Sequence, residues 1–366
     1  MGFREFWEQT CPLETLKRIE SATAAQVAQA LSTRLCNEEG LAALLSPSAT
    51  PFLEAMAQRA HDETLRHFGR QILLFTPIYI SNHCVNQCAY CGFNVSNRIE
   101  RRHLSLAEVD IEARAISKTG LKHILLLTGE APSLSTPDYI GDSISLLSTY
   151  FTSVGIEIYP VDEKGYARFI DAGADTLTLY QETYNKSLYK TLHPAGPKRN
   201  FFYRLEAPER AARARMRGIT IGGLLGLDNW RREAFYTALH ARWLLDTFPD
   251  VELGISFPRM RPHAGGFKPD FDVTDADIVQ MMIALRIFLP QVGMTVSTRE
   301  SPLFRNHILP LGVTRMSAGS CTSVGSHTLN EGSGQFEISD GRSVVEMAES
   351  LNRRGYQPVY QDWRRH

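Results

Sequence analysis

The segment 71-QILLFTPIYISNHCVNQCAYCGF-93 joins an apolar run to a loop that holds three of the chain's six cysteines. Residues 71–81 are rich in β-branched and aromatic residues and predict a buried β-strand. Cys84, Cys88 and Cys91 follow with the spacing Cys-x3-Cys-x2-Cys. A structural zinc site usually takes four protein ligands, and a disulfide would use only two of these cysteines. Three thiolates on one loop therefore suit a metal ion or cluster with one coordination position left open.

Short apolar runs and amphipathic segments alternate along the chain from residue 71 onward. A helix is predicted over residues 105–120, where Ser105 is the N-cap and Glu108 completes a capping box. Further strands are predicted at residues 123–130, 154–161, 176–183, 219–227, 252–262, 294–300 and 313–320. Eight strands alternating with helices predict a parallel sheet, which would close into a (β/α)8 TIM-type barrel. An open doubly wound sheet is the alternative, because a sequence does not show closure.

Composition restricts the class of partner. The formal net charge is −1, so there is no electrostatic case for binding nucleic acid or an anionic membrane. No apolar stretch is long enough for a transmembrane helix, and residues 1–10 lack the apolar core of a signal peptide. A cytoplasmic protein is therefore expected. In that compartment thiols stay reduced, and clustered cysteines bind metal more often than they form disulfides.

The cysteine spacing, its position after the first strand and the aromatic Tyr90 just before the last cysteine resemble the radical S-adenosylmethionine (SAM) enzymes. Thiolates are ligands of iron–sulfur clusters. The resemblance implies one 4Fe–4S cluster held by Cys84, Cys88 and Cys91, with the free iron chelating SAM. One-electron reduction would then yield a 5′-deoxyadenosyl radical. A zinc knuckle completed by His83 and a chance cluster of core cysteines are the alternatives.

The same resemblance implies where SAM binds. Thr128, Gly129 and Glu130 end the second strand, where the superfamily receives the SAM ammonium group. Glu182 ends the fourth strand, where related enzymes hold the ribose hydroxyls. Arg204 lies where a cationic residue takes the SAM carboxylate, and a guanidinium suits that role because it can form two parallel hydrogen bonds.

Several segments narrow the resemblance to the aromatic amino acid lyases of this superfamily, above all those that cleave tyrosine for thiazole biosynthesis. They are listed here in chain order: IYISNHCVNQCAYCGFNVSNRIERR, LLLTGE, YQETY, ISFPRMRPHAGG, STRESPLFR and GYQPVYQDW. This resemblance implies that the deoxyadenosyl radical takes a hydrogen atom from the amino group of L-tyrosine, with electrons for the cluster from an external donor. The Cα–Cβ bond then breaks to give p-cresol and dehydroglycine, which thiazole synthase consumes. Apolar residues at helical spacing predict an N-terminal helical extension (1–70). The resemblance implies a barrel core (71–300) and a C-terminal region associated with biotin and thiamin synthesis that completes the barrel (301–366).

Substrate contacts follow partly from chemistry. A free amino acid inside a barrel brings a carboxylate that must be paired, and Arg299 is the first choice for that pairing. Ser317 and Tyr79 match positions that contact the substrate backbone in related lyases. Arg261 and His263 are candidates at the phenol end, because histidine can transfer protons near neutral pH.

Three alternatives to this function stay open. A tryptophan lyase of peptide-antibiotic biosynthesis would share the cluster and the carboxylate contact. The hydrogenase-maturation tyrosine lyase carries three further cysteines in a C-terminal extension, whereas this chain has only Cys321 after Cys91 and ends at His366. The last alternative, from another class, is a non-catalytic zinc or iron–sulfur binding module.

Overall fold

The computed structural model describes residues 2–10, 12–328 and 332–362. Their central feature is a parallel sheet that closes on itself. The strands are β1 (Gln71–Ser81), β2 (His123–Thr128), β3 (Ser153–Glu157), β4 (Ala174–Glu182), β5 (Gly218–Gly223), β6 (Glu252–Ser256), β7 (Gly293–Val296), β8 (Arg315–Ser317) and β9 (Gln357–Val359). Strands β1 to β8 pair in chain order, and β1 pairs with both β2 and β8. The predicted eight-stranded barrel is confirmed, and the open sheet is excluded.

Strand β9 is an element that the sequence pattern did not predict. Its three residues pair in parallel with the beginning of β1, from Gln71 to Leu73, next to the part of β1 that pairs with β8. It follows the last helix, and it brings the described end of the chain to the face where the strands begin. There the His123 imidazole lies 2.9 Å from the Asp362 carboxylate.

Helices cover the outside of the barrel because parallel strands need a crossover between them. The helices are α1 (Phe3–Glu8), α2 (Pro12–Glu20), α3 (Ala24–Ser32), α4 (Glu38–Leu44), α5 (Leu53–Phe68), α6 (Leu106–Ser117), α7 (Pro137–Leu147), α8 (Glu163–Ala172), α9 (Lys186–Leu192), α10 (Phe201–Leu205), α11 (Ala207–Arg213), α12 (Trp230–Thr247), α13 (Asp275–Phe288), α14 (Pro302–His307) and α15 (Val344–Arg353). The predicted capping box of α6 is confirmed, since Ser105 accepts from Glu108 N–H and Glu108 accepts from Ser105 N–H. None of the helices in the described part of the chain is long and apolar enough to cross a membrane.

The N-terminal helices pack against the outside of the barrel, chiefly on α12 and α13. The buried Gln280 side chain of α13 donates to the carbonyl of Leu44, the last residue of α4, and to the carbonyl of Ser46 just beyond it. Barrel strand β8 lies beyond residue 300, so the barrel draws on the predicted C-terminal segment as well as on the predicted core. The proposed boundaries at residues 70 and 300 stay predictions. Residues 329–331 and 363–366 of that C-terminal segment, including the end of GYQPVYQDW, lie outside the described residues.

Candidate active site

The cysteine loop (residues 83–93) follows β1 at the mouth where the strands end. Its backbone is fixed to the end of β2, because Val85 N–H donates to Glu130 O at 2.8 Å. Gly129 is required for this close packing, since a Cβ there would lie 2.3 Å from His83 O. The cysteine loop and the Thr-Gly-Glu segment (residues 128–130) are thus in direct backbone contact.

Two of the three thiols face an amide donor. Asn86 Nδ2 lies 3.7 Å from Cys84 Sγ, and Gln335 Nε2 lies 3.8 Å from Cys91 Sγ, whereas Cys88 packs among apolar side chains that include Leu192 and Leu224. Burial raises the pKa of the Cys88 thiol to about 12 and also raises the pKa of Cys91. Without a metal these thiols stay protonated, which disfavours a role as free nucleophiles.

The spacing of the thiols bears on which metal group they fit. Within residues 2–10, 12–328 and 332–362, no three His, Cys, Asp or Glu side chains are arranged to hold a single metal ion. A zinc ion needs its ligand atoms about 2.0–2.3 Å from the metal. In a multi-iron cluster each thiolate binds a different iron, so its ligands are further apart. Cys84, Cys88 and Cys91 line one cavity, as ligands that bind separate irons of one cluster would.

A cavity of about 650 Å³, here called the cysteine cavity, opens beside the three thiols. All the residues predicted to hold the cluster or SAM line it, except Tyr90: Cys84, Cys88, Cys91, Thr128, Gly129, Glu130, Glu182 and Arg204. Asn86 links two walls of the cysteine cavity through hydrogen bonds. Its Nδ2 donates to Glu130 Oε2 at 2.6 Å, and its Oδ1 accepts from Lys198 N–H at 2.9 Å.

Glu182 is the most strongly paired carboxylate of this cavity. Lys198 Nζ lies 2.6 Å and Arg204 Nη2 lies 3.5 Å from Glu182 Oε1. Burial alone would raise the pKa of Glu182, but the two cations hold it below its usual value. The residue has a φ of 71°, at an irregularity where β4 meets β5. A non-glycine residue in this region costs on the order of 1–3 kcal/mol. The strained backbone turns the carboxylate toward Lys198 and Arg204.

A second cavity of about 980 Å³, here called the arginine cavity, lies inside the barrel mouth. It shares a wall with the cysteine cavity that includes Tyr79, Cys91, Glu157, Tyr180, Glu182 and Gln335. Much of its remaining surface is apolar, from residues that include Phe75, Leu125, Leu224, Pro258, Met260 and Phe336. The arrangement suits a ligand with one apolar end and one polar end.

Arg299 and Ser317, both predicted to contact the substrate, line the arginine cavity together. Strand β7 ends at Val296, so Arg299 lies three residues into the following turn rather than on the strand itself. Its guanidinium stacks on the Phe336 ring at 3.4 Å and has no carboxylate partner among the described residues. Burial lowers its pKa. An unpaired, partly desolvated guanidinium favours an anionic ligand group.

Tyr79 lies in the shared wall. Its hydroxyl donates to Gln335 Oε1 at 2.9 Å, and the amide of Gln335 faces Cys91. Tyr90 lines the arginine cavity, and its hydroxyl bonds His193 Nε2 at 2.7 Å. Burial and the neighbouring Lys198 lower the pKa of His193 to about 3, so the imidazole is neutral and accepts this hydrogen bond.

His263 lines neither the cysteine cavity nor the arginine cavity, and its Nε2 has no hydrogen-bond partner in the described chain. Arg261 does line the arginine cavity and donates to Glu300 at 3.2 Å. Of the two residues predicted for the phenol end, the structure therefore brings only Arg261 to the cavity.

Comparisons with known proteins agree with this geometry. A model described as the Radical SAM superfamily matches residues 78–239, and one described as the Biotin and Thiamin Synthesis associated domain matches residues 256–357. The 2-iminoacetate synthases of Salmonella typhimurium and Escherichia coli are each 38% identical over 363 residues, covering 99% of this chain and 96% of each relative. The chain belongs to the 2-iminoacetate synthase family.

A solved structure adds a more distant member of the same superfamily. The FeFe-hydrogenase maturase HydG from Carboxydothermus hydrogenoformans superposes with a TM-score of 0.87 at 32% identity. The alignment covers 93% of this chain and 80% of HydG. Family membership implies a 4Fe–4S cluster and SAM as cofactors, and the cysteine cavity contains thiol, carboxylate and guanidinium groups that fit both.

Sequence reasoning missed four polar residues of the site: Asn86, Glu157, Lys198 and Gln335. Asn86 is inside the quoted motif, but its contacts with separate segments are visible only in the fold. Gln335 follows a glycine- and serine-rich stretch (residues 319–334) whose composition indicates no role for it. Glu157 could have been detected, since it is a charged residue within the otherwise apolar run 154–161.

Proposed function

We propose that this protein cleaves the Cα–Cβ bond of L-tyrosine to 2-iminoacetate (dehydroglycine) and p-cresol, and so supplies the thiazole moiety of thiamine. The observation that carries the proposal is the wall shared by the two cavities. On one side are three thiols that fit an iron–sulfur cluster, and on the other is the unpaired guanidinium of Arg299. The family membership agrees with this reading.

The cysteine cavity would hold one 4Fe–4S cluster, through Cys84, Cys88 and Cys91, together with SAM. When bound, these cofactors supply a carbon-centred radical that removes a hydrogen atom from the substrate. Glu130, beside Thr128 and Gly129, would accept hydrogen bonds from the SAM ammonium. Glu182 and Arg204 would bind the ribose hydroxyls and the SAM carboxylate.

The arginine cavity would hold tyrosine. Arg299 and Ser317 would bind its carboxylate, and Tyr79 would lie against its backbone from the shared wall. The phenol ring would occupy the apolar part of the cavity, with Arg261 near its hydroxyl group. We do not place His263 in contact with the substrate, because it lies outside the cavity lining.

Two partners follow from the chemistry. The imine product reacts with water, so transfer to a thiazole synthase would protect it. The cluster needs electrons, and an external electron donor would provide them. Both expectations agree with a cytoplasmic location, where the cluster thiols stay reduced.

Anaerobic reconstitution with iron and sulfide, followed by SAM and a reductant, tests the function. L-Tyrosine, L-tryptophan and L-phenylalanine are supplied separately, and products are identified by mass spectrometry. We expect p-cresol from tyrosine only. Cleavage of tryptophan instead would assign the protein to the tryptophan lyases. A colourless protein that binds zinc and does not cleave SAM would indicate a non-catalytic module.

A further inference from the structure

The charges that line the arginine cavity are unevenly paired. Its described lining contains two carboxylates, Glu157 and Glu182. Glu182 forms ion pairs with Lys198 and Arg204. The Glu157 carboxylate makes no hydrogen bond or ion pair with the described residues, although the residue lines both cavities. It is therefore the carboxylate of the described lining that remains available to a ligand.

The position of Glu157 relates it to Arg299. Strand β3 ends at Glu157, and its carboxyl group lies close enough to Arg299 for each charge to affect the pKa of the other. An α-amino acid carries its carboxylate and its ammonium group on one carbon. If Arg299 binds the carboxylate, the ammonium group lies nearby and needs an anion, since a buried unpaired charge is costly.

We propose that Glu157 binds the ammonium group of the substrate and accepts a proton from it, so that the amino group faces the cysteine cavity in its neutral form. This inference rests on the proposed function. The step is balanced without an oxidant or reductant: a nitrogen–hydrogen bond breaks, an oxygen–hydrogen bond forms on Glu157, and the electron pair stays on nitrogen. Removal of a hydrogen atom from nitrogen is easier from the amine, because its lone pair stabilises the product.

The surroundings of Glu157 suit a proton acceptor. Burial raises its pKa to about 7, and the negative charge of Glu182 acts in the same direction. The cations Arg299, Arg204 and Lys198 oppose this rise. The hydroxyls of Tyr79 and Tyr180 also line this wall, and both have pKa values raised by burial, so they remain neutral. A general base is most effective when its pKa is near the working pH.

Ligand binding to the reconstituted protein with SAM, without reductant, tests the proposal apart from turnover. The ligands are L-tyrosine and 3-(4-hydroxyphenyl)propanoate, which lacks the amino group, measured by calorimetry with wild type, Glu157→Gln and Glu349→Gln. Glu349 is exposed on α15 and is the matched control. We expect Glu157→Gln to weaken tyrosine binding at least tenfold and to leave binding of the propanoate unchanged. Equal loss for both ligands, or no loss for tyrosine, would overturn the proposal.

A second variant covers the case in which Glu157→Gln does not fold. Glu157→Asp keeps the carboxylate but shortens its reach, so the preference for tyrosine over the propanoate should fall while cluster content stays constant. An unchanged preference would contradict the proposal. If the proposed function is wrong, the result is different, because wild type would then bind another amino acid better than tyrosine. The same comparison is then made with that amino acid and its deamino analogue.

Discussion

Lys198 Nζ lies 2.6 Å from the Glu182 carboxylate in the wall between the two cavities. Both side chains are largely buried, and Arg204 is the other cation beside the same carboxylate. Removing one partner of a buried pair leaves an uncompensated charge, which costs on the order of 3–5 kcal/mol. Lys198 is thus a positioning residue for Glu182, even though no motif pointed to it.

Lys198→Met is expected to weaken SAM binding at least tenfold and to lower stability at neutral pH. The pKa of Glu182 is depressed in the folded state, so its stabilising effect is present above its ordinary pKa and is lost as the pH falls through the lower, folded value. Removing Lys198 raises the folded-state pKa of Glu182, so in the variant this loss should be smaller and should be complete at a higher pH. Calorimetry with SAM and thermal unfolding between pH 3 and 8 measure both effects. Lys190→Met, on the exposed face of α9, is the control. Equal SAM affinity in the two variants would contradict the assignment.

The sequence predicted the barrel because its signals are local. Each strand is a short apolar run, and the α6 capping box needs only Ser105 and Glu108. Strand β9 was missed because three residues carry no usable alternation, and their pairing with the start of β1 is a long-range contact. The predicted strands 294–300 and 313–320 contain Arg299 and Ser317, and closure of the barrel brings these two strands side by side.

The positions of the other site residues depend on loop conformations, which a sequence pattern does not predict. Gly196 has a φ of 92°, and a Cβ there would lie 2.2 Å from Asn86 Oδ1. This tight turn brings Lys198 N–H to the same oxygen and its ammonium group to Glu182. The loop that carries Gln335 reaches Tyr79 and Cys91 from the far end of the chain. Such contacts join distant segments, so they are visible only in the fold.

Replacing any one of Cys84, Cys88 and Cys91 with alanine should abolish cluster binding and SAM cleavage, because each thiolate would hold a different iron. Cys36→Ala and Cys321→Ala are the controls, since neither residue lines a cavity described here. Iron and sulfide content, visible absorbance and 5′-deoxyadenosine yield are measured after anaerobic reconstitution. A Cys88→Ala protein with normal iron and sulfide content would show that the loop does not hold the cluster.

Glu157→Gln should stabilise the protein without ligand, and the gain should grow with pH. The folded-state pKa of Glu157 is raised from 4.5 to about 7. The stability associated with its neutral form is complete below the unfolded value and is lost as the pH rises through about 7. When Glu157 is fully ionised, wild type should be less stable than Glu157→Gln by about 3 kcal/mol, since each pKa unit corresponds to about 1.4 kcal/mol. The melting temperatures of wild type, Glu157→Gln and Glu349→Gln at pH 5.5, 7 and 8.5 measure it. If the difference in melting temperature between wild type and Glu157→Gln were the same at all three pH values, folding would not raise the pKa of Glu157.

Arg299→Lys separates a substrate contact from a cofactor contact. Lysine keeps the positive charge but loses the planar guanidinium that binds a carboxylate through two hydrogen bonds, and it stacks less well on Phe336. Truncating one partner of a buried charged pair costs about 2–5 kcal/mol, and 1.4 kcal/mol already corresponds to tenfold. The p-cresol yield should therefore fall at least tenfold, while cluster content and SAM cleavage without product formation persist. The control is Arg353→Lys, on the exposed end of α15. Loss of both p-cresol and 5′-deoxyadenosine with an intact cluster would move Arg299 to the SAM site, and an unchanged p-cresol yield would leave it a structural residue.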